Sequence, residues 1–132
     1  MTSGALKGLR ILVVDDNQDA LDTLVKLLSM NGAETRCSRS AKQAREQLAS
    51  FRADLVISDL AMPGEDGFDL IMGIRRLSAN EGGRTPAIAF SASGDPGARA
   101  RALKCGFQEF VPKLDVPQLL SAVASLTARD GS

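Results

Sequence analysis

The sequence has no histidine, tryptophan or tyrosine, and only two cysteines. Without histidine, a zinc site of mixed His and Cys ligands is excluded. Cys37 and Cys105 stand far apart with no CxxC spacing. They are therefore expected as free thiols in a reducing cytoplasm, serving as small apolar filler. The missing Trp and Tyr remove the usual stacking platforms for single-stranded nucleic acid. Sixteen basic residues balance sixteen acidic ones, so the chain also lacks the electrostatic footprint of a nucleic-acid binder. No apolar run approaches the roughly 20 residues of a membrane span, and no signal-peptide core follows Met1. The 132 residues contain no linker-like stretch. They predict one soluble, intracellular domain, large enough to bury roughly two thirds of its surface without disulfides.

What is present falls into two alternating patterns. "RILVV" (10–14), "DLVIS" (54–58) and "PAIAF" (86–90) are short, continuous apolar runs, as expected of strands covered on both faces. "GAETRCS" (32–38) and "QEFVP" (108–112) are weaker strand signals that suit sheet edges, with Pro112 ending the second. Between them lie helical patterns at 18–30, 40–50, 67–77, 93–106 and 116–126. The last, with Val116, Leu119, Leu120, Val123 and Leu126, has the cleanest stripe. The fourth opens on Gly94, Pro96 and Gly97 and has a mostly alanine face, so it is expected to be loosely held. Alternation five times over predicts an α/β fold, a parallel sheet between two helical layers. The core should cover about 8–127, with "MTSGALKG" and "ARDGS" frayed.

The first apolar run ends in two adjacent carboxylates, Asp15 and Asp16. Alone, such a pair reads either as a helix cap with Asp16 at the N-cap or as part of a metal site. Asp59 ends the third run and alone fits a turn cap; Lys113 alone is usually a solvated surface charge. In open parallel sheets, ligands bind beyond the carboxyl ends of the strands. Asp15, Asp16, Asp59, Ser91 and Lys113 all fall at such ends. Three converging carboxylates repel one another unless a cation neutralises them, and an oxygen-only, partly hydrated cluster suits Mg²⁺. A hydroxyl and an ammonium on the same rim are what the oxygens of a phosphoryl group require.

With these residues in view, "ILVVDDNQDALDTL", "DLVISDLAMPGEDGFDL", "PAIAFSAS" and "CGFQEFVPK" together resemble the receiver domain of bacterial response regulators over nearly the whole chain. The resemblance implies a flavodoxin-like, doubly wound sheet of five parallel strands in the order 2-1-3-4-5, with five helices. It implies phosphorylation on Asp59, with Mg²⁺ held by Asp15, Asp16, Asp59 and the main-chain carbonyl of Ala61. It makes Ser91 the hydroxyl that turns toward the phosphoryl group and Lys113 its cationic partner. It makes Phe110 the aromatic that changes rotamer on activation, although ordinary core packing also explains a phenylalanine there. Such a domain is a signalling module that catalyses only its own phosphotransfer and autodephosphorylation. Its donor would be a histidine kinase or a histidine phosphotransfer protein, because this chain has no histidine to phosphorylate. A downstream protein partner is implied; nucleic acid and membrane are not. The texture of "ALKGLRILVVDDNQDAL" is similar to receivers fused behind kinase cores, which favours a hybrid-type origin over a free-standing regulator.

In the resembled family the lysine is followed by proline, whereas here Leu114 follows and Pro112 precedes. A cis bond without proline costs about 3 kcal/mol, so a trans bond is expected after Lys113. On phosphorylation, Ser91 is expected to move inward and Phe110 to fill the space it leaves. That shift would bias the fourth helix, near residues 95–105, and the surface it shares with the last strand and helix. Two other functions are weighed. A haloacid-dehalogenase-like Mg²⁺ phosphatase wants an acid two residues after its nucleophile, where Ala61 stands. A nucleotide-binding module wants GxGxxG or GxxxxGK after the first strand, and neither is present.

Overall fold

The computed structural model describes residues 4–92 and 96–127. Strands and helices alternate: β1 (Arg10–Val14), α1 (Gln18–Met30), β2 (Glu34–Ser38), α2 (Ala41–Phe51), β3 (Leu55–Ser58), α3 (Gly67–Arg75), β4 (Ala87–Ser91), α4 (Pro96–Cys105), β5 (Glu109–Pro112) and α5 (Val116–Leu126). The sheet is parallel throughout, in the order β2-β1-β3-β4-β5. The two weak strand signals take the edges, and the three apolar runs fill the centre. Helices cover both faces of those central strands, so their side chains alternate between two cores. Leu12, Val14, Val56 and Ala89 join α2, α3 and α4 through Leu48, Phe51, Ile71, Ile74 and Ala102. Ile11, Val13, Ile57 and Ile88 join α1 and α5 through Leu21, Leu28, Leu119 and Val123.

Helix starts follow from side-chain caps. Asn17, Ser40, Asp66 and Asp115 accept hydrogen bonds from the N–H groups of Ala20, Gln43, Asp69 and Gln118, respectively. The cap of α1 is therefore Asn17 and not Asp16. Asn17, with extended backbone at φ −91° and ψ 115°, takes the capping task, which leaves the Asp16 carboxylate outside the cap. Asp15 in turn accepts the Asn17 N–H at 3.0 Å.

The amino-terminal segment also departs from expectation, since residues 4–8 are tied down. Leu6 is buried, and its N–H donates to Asn31 O at 2.8 Å. Gly32 makes room for this turn, for a Cβ there would lie 3.1 Å from the Lys7 backbone. Residues 1–3, 93–95 and 128–132, including the expected start of the fourth helix, lie outside the described residues.

The mostly alanine inner face of α4 is present as read. Its buried side chains are Ala98 and Ala102, supplemented by the Arg101 guanidinium 3.9 Å above the Phe68 ring. The described residues contain no cis peptide, so the bond after Lys113 is trans. No helix among them is long and apolar enough to cross a membrane.

Candidate functional site

The backbones of the site residues extend the ladder of the sheet. Asp15, just past β1, donates its N–H to Ser38 O at the end of β2; Asp59, just past β3, donates to Val14 O at the end of β1. Lys113, just past β5, donates to Ser91 O at the end of β4. Each side chain is thus held at the carboxyl edge by a sheet hydrogen bond, and neighbouring strands bring distant residues together.

The Asp59 carboxylate is nearly enclosed, at 9% exposure, and Asp15 and Ser91 are more deeply buried. Its Oδ1 accepts from Leu60 N at 2.7 Å, Ala61 N at 3.3 Å and Ser91 Oγ at 3.0 Å. Its Oδ2 accepts from Lys113 Nζ at 3.0 Å. The same ammonium reaches Asp15 Oδ2 at 2.8 Å, so Lys113 bridges two buried acids. Burial by itself lowers the Lys113 pKa, but hydrogen bonds to Asp15 and Asp59 and the charge of both outweigh it, and the net shift is upward. Replacing the proline after this lysine by Leu114 does not carry it away from the site.

Asp15, Asp16 and Asp59 each offer an oxygen, all within 4.8 Å of one another. Three carboxylates and one ammonium leave two negative charges. Among the described residues the Asp16 carboxylate accepts no hydrogen bond, while Arg39 holds its backbone carbonyl at 2.9 Å. A hard, oxygen-only donor set with that residual charge fits a small divalent cation such as Mg²⁺.

Ser91 and Phe110 occupy inward positions. The Ser91 hydroxyl already has an acceptor in the unmodified Asp59 carboxylate, so a phosphoryl group is not needed to attract it. Phe110 is buried, 6% exposed, in the core beneath α3 and α4. Beside the site, a cavity of about 300 Å³ has apolar walls that include Leu24, Phe90 and Val116, and Asp15, Asp59 and Lys113 line it as well.

Two further residues, one beside the site and one at the opposite end of the sheet, escaped the sequence reading. Gly67 opens α3 against the loop that follows β3, and a Cβ there would collide with the Asp59 carbonyl oxygen. The glycine in "EDGFD" was the available signal. Arg75 sends its guanidinium to Gly106 O, Gly83 O, Thr85 O and Gln108 Oε1 at 2.7 to 3.0 Å. It lies four residues after buried Ile71, at the margin of the apolar face, and that phase distinguishes it from its neighbour Arg76.

Comparison with known proteins agrees with this geometry. Residues 11–124 match the family described as the response regulator receiver domain. An uncharacterized 14.6 kDa protein in the sodA1 3' region of Leptolyngbya boryana is 40% identical over 103 residues, covering 78% of this chain and 77% of that protein. Sensory/regulatory protein RpfC of Xanthomonas campestris pv. campestris is 32% identical over 92% of this chain, but only 17% of RpfC is covered. The chain thus spans about a sixth of that relative. The crystal structure of the receiver domain of the histidine kinase CKI1 from Arabidopsis thaliana, complexed with Mg²⁺ and BeF₃⁻, superposes with a TM-score of 0.85. The two are 26% identical, and the match covers 97% of this chain and 95% of that one. The haloacid-dehalogenase alternative gains no support from either the fold or the relatives. The acidic cluster fits the phosphoacceptor site of receivers, and the chain belongs to the response regulator receiver domain family, the signalling modules of two-component systems.

Proposed function

We propose that Asp59 is the phosphoacceptor of this receiver, in a Mg²⁺-dependent reaction with a phosphohistidine donor. One observation carries the reading: a buried carboxylate meets a cation, a hydroxyl and two further acids drawn from four strand ends. Asp59 would attack phosphorus in line. The P–O bond forms as the P–N bond breaks, and the imidazole leaves with the bonding pair. Oδ1 accepts three hydrogen bonds and Oδ2 one, so Oδ2 is the more available nucleophile. Lys113 and Ser91 would receive phosphoryl oxygens as charge spreads over them. Mg²⁺, held by Asp15, Asp16, Asp59 and the Ala61 carbonyl, would offset the repulsion between two approaching anions.

The sequence has no histidine, so the donor imidazole comes from outside these residues, on a histidine kinase or a histidine phosphotransfer protein. Likeness to the CKI1 receiver, which was crystallised with Mg²⁺ and BeF₃⁻, supports both the metal and the acyl phosphate. It also favours a hybrid-type origin for residues 1–132, read as one receiver domain working in the cytoplasm. Loss of the acyl phosphate by attack of water would reset the domain. The readout would run through Ser91 and Phe110 to α4, β5 and α5, limited by the difference in affinity between two conformations.

Intact mass spectrometry after incubation with Mg²⁺ and acetyl phosphate should show one added phosphoryl group, absent without Mg²⁺ and absent in Asp59→Asn. Retention of the added mass in Asp59→Asn would overturn the assignment.

A further inference from the structure

We propose that the exposed face of α4 recognises an acidic partner segment that also presents an apolar surface to Leu103. The proposal rests on the switching reading above and adds the chemistry of the partner.

The chain is neutral overall, yet α4 has charges of one sign only. Arg99, Arg101 and Lys104 are exposed, and no acidic residue occurs between Pro96 and Gln108. Arg101 is partly engaged by the Phe68 ring. Arg99 and Lys104 enter none of the ion pairs found among the described residues. Leu103 is 42% exposed, and Arg99 stands one turn before it on the same side of the helix. A lone exposed leucine is ordinary, as is a solvated basic helix. This one differs in place, because two alanines anchor the helix and the proposed switch acts on it.

The rest of the edge argues against a second copy of the chain as occupant. A two-fold interface must be complementary to itself, so a patch rich in cations needs acids close by. Helix α5 contains no charged residue, β5 offers Glu109 alone, and Asp66, which lines a groove with Arg101, is committed to capping α3. Cations that pair with no acid among the described residues, framing an aliphatic side chain, are complementary to an acidic amphipathic segment, whose carboxylates meet Arg99 and Lys104 while its apolar side packs on Leu103.

The probe is a blocked peptide of two Glu-Leu-Ala-Glu-Leu-Glu-Ala heptads, with a twin in which every Glu is Lys. Titration of the isotope-labelled protein, loaded at Asp59 with Mg²⁺ and BeF₃⁻, should give saturable shifts along α4. The acidic peptide should bind at least about tenfold more tightly than its twin. Arg99→Glu combined with Lys104→Glu should abolish that preference, and Leu103→Ser should weaken binding several-fold. Phosphoryl loading of Asp59, followed by mass, should be unchanged in all three substitutions, which lie on the surface away from the acidic cluster. Normal loading with no acidic-peptide binding, or binding indifferent to charge reversal, would overturn this proposal alone. A DNA duplex that binds the same residues more tightly than the peptide would overturn it too. Failure of Asp59 to load would overturn the switching reading and this proposal with it.

Discussion

The Ser91 hydroxyl donates to Asp59 Oδ1 across 3.0 Å, joining residues 32 apart in the chain through the pairing of β3 with β4. Both groups are buried, so the bond is shielded from competing water. On the proposed phosphorylation of Asp59, the same hydroxyl would stand ready to donate to a phosphoryl oxygen.

Ser91→Ala removes that donor and little else. Phosphorylation by acetyl phosphate should slow by about five- to tenfold, the worth of one net hydrogen bond in the transition state. Ser91→Thr should restore the rate. An unchanged rate in the alanine variant would show that the hydroxyl does not serve the reaction.

Lys113→Met leaves Asp15 and Asp59 without their shared ammonium. Metal-free stability should fall by about 2–3 kcal/mol in urea denaturation, whereas Mg²⁺ should bind more tightly because a competing cation is gone. Asp16→Ala should act in the opposite sense on the metal, weakening Mg²⁺ by roughly tenfold or more without unfolding the chain. Calorimetric titration giving equal affinity in all three proteins would contradict the assignment of the cluster.

Arg75→Met strips hydrogen bonds from four acceptors, at Gly83, Thr85, Gly106 and Gln108. The urea midpoint should drop by the equivalent of about 3 kcal/mol. Arg75→Lys should recover only part of it, since a compact ammonium cannot span the same set. Loading of Asp59 should persist, because Thr85 and Gln108 precede β4 and β5 and lie at the end of the sheet opposite the acids. A Met variant as stable as the parent would mean that these bonds add nothing beyond their solvated equivalents.

Burial, and then the carboxylate of Asp22, push the Cys37 thiol above its ordinary pKa. A raised pKa favours the neutral thiol in the fold. Its contribution to stability is therefore full below the unfolded value and is lost as pH rises through the folded one. Near pH 8.5, about the ordinary thiol pKa, iodoacetamide should label Cys37 more slowly in the folded chain than in urea. Asp22→Asn should bring the folded curve downward in pH. Identical curves for folded and unfolded chains would contradict the shift.

How much of this was legible in the sequence depended on distance along the chain. The central strands show as continuous apolar runs because their two covered faces leave no polar positions. The acids, the serine and the lysine were legible because each stands at the end of such a run, where a parallel sheet gathers its ligands. Contacts that no local period encodes were not legible. Leu6 lies in the short stretch "GALKGL", whose few apolar residues, Ala5, Leu6 and Leu9, are too short a pattern to mark it as buried. Asp16 and Asn17 are both good caps, and only the path of the backbone decides between them. Helix phase separates Arg75 from Arg76 in "IRRL", but the carbonyls of Gly83 and Gly106 that Arg75 holds are distant in sequence and no period points to them.

The most direct measurement is the position of the phosphoryl group itself. The protein is loaded with acetyl phosphate and Mg²⁺, reduced with borohydride so that an acyl phosphate becomes homoserine, digested and sequenced by tandem mass spectrometry. The account predicts homoserine at position 59 and nowhere else. Homoserine at position 15 or 16, or an unreduced Asp59 in a protein that has gained phosphoryl mass, would contradict it.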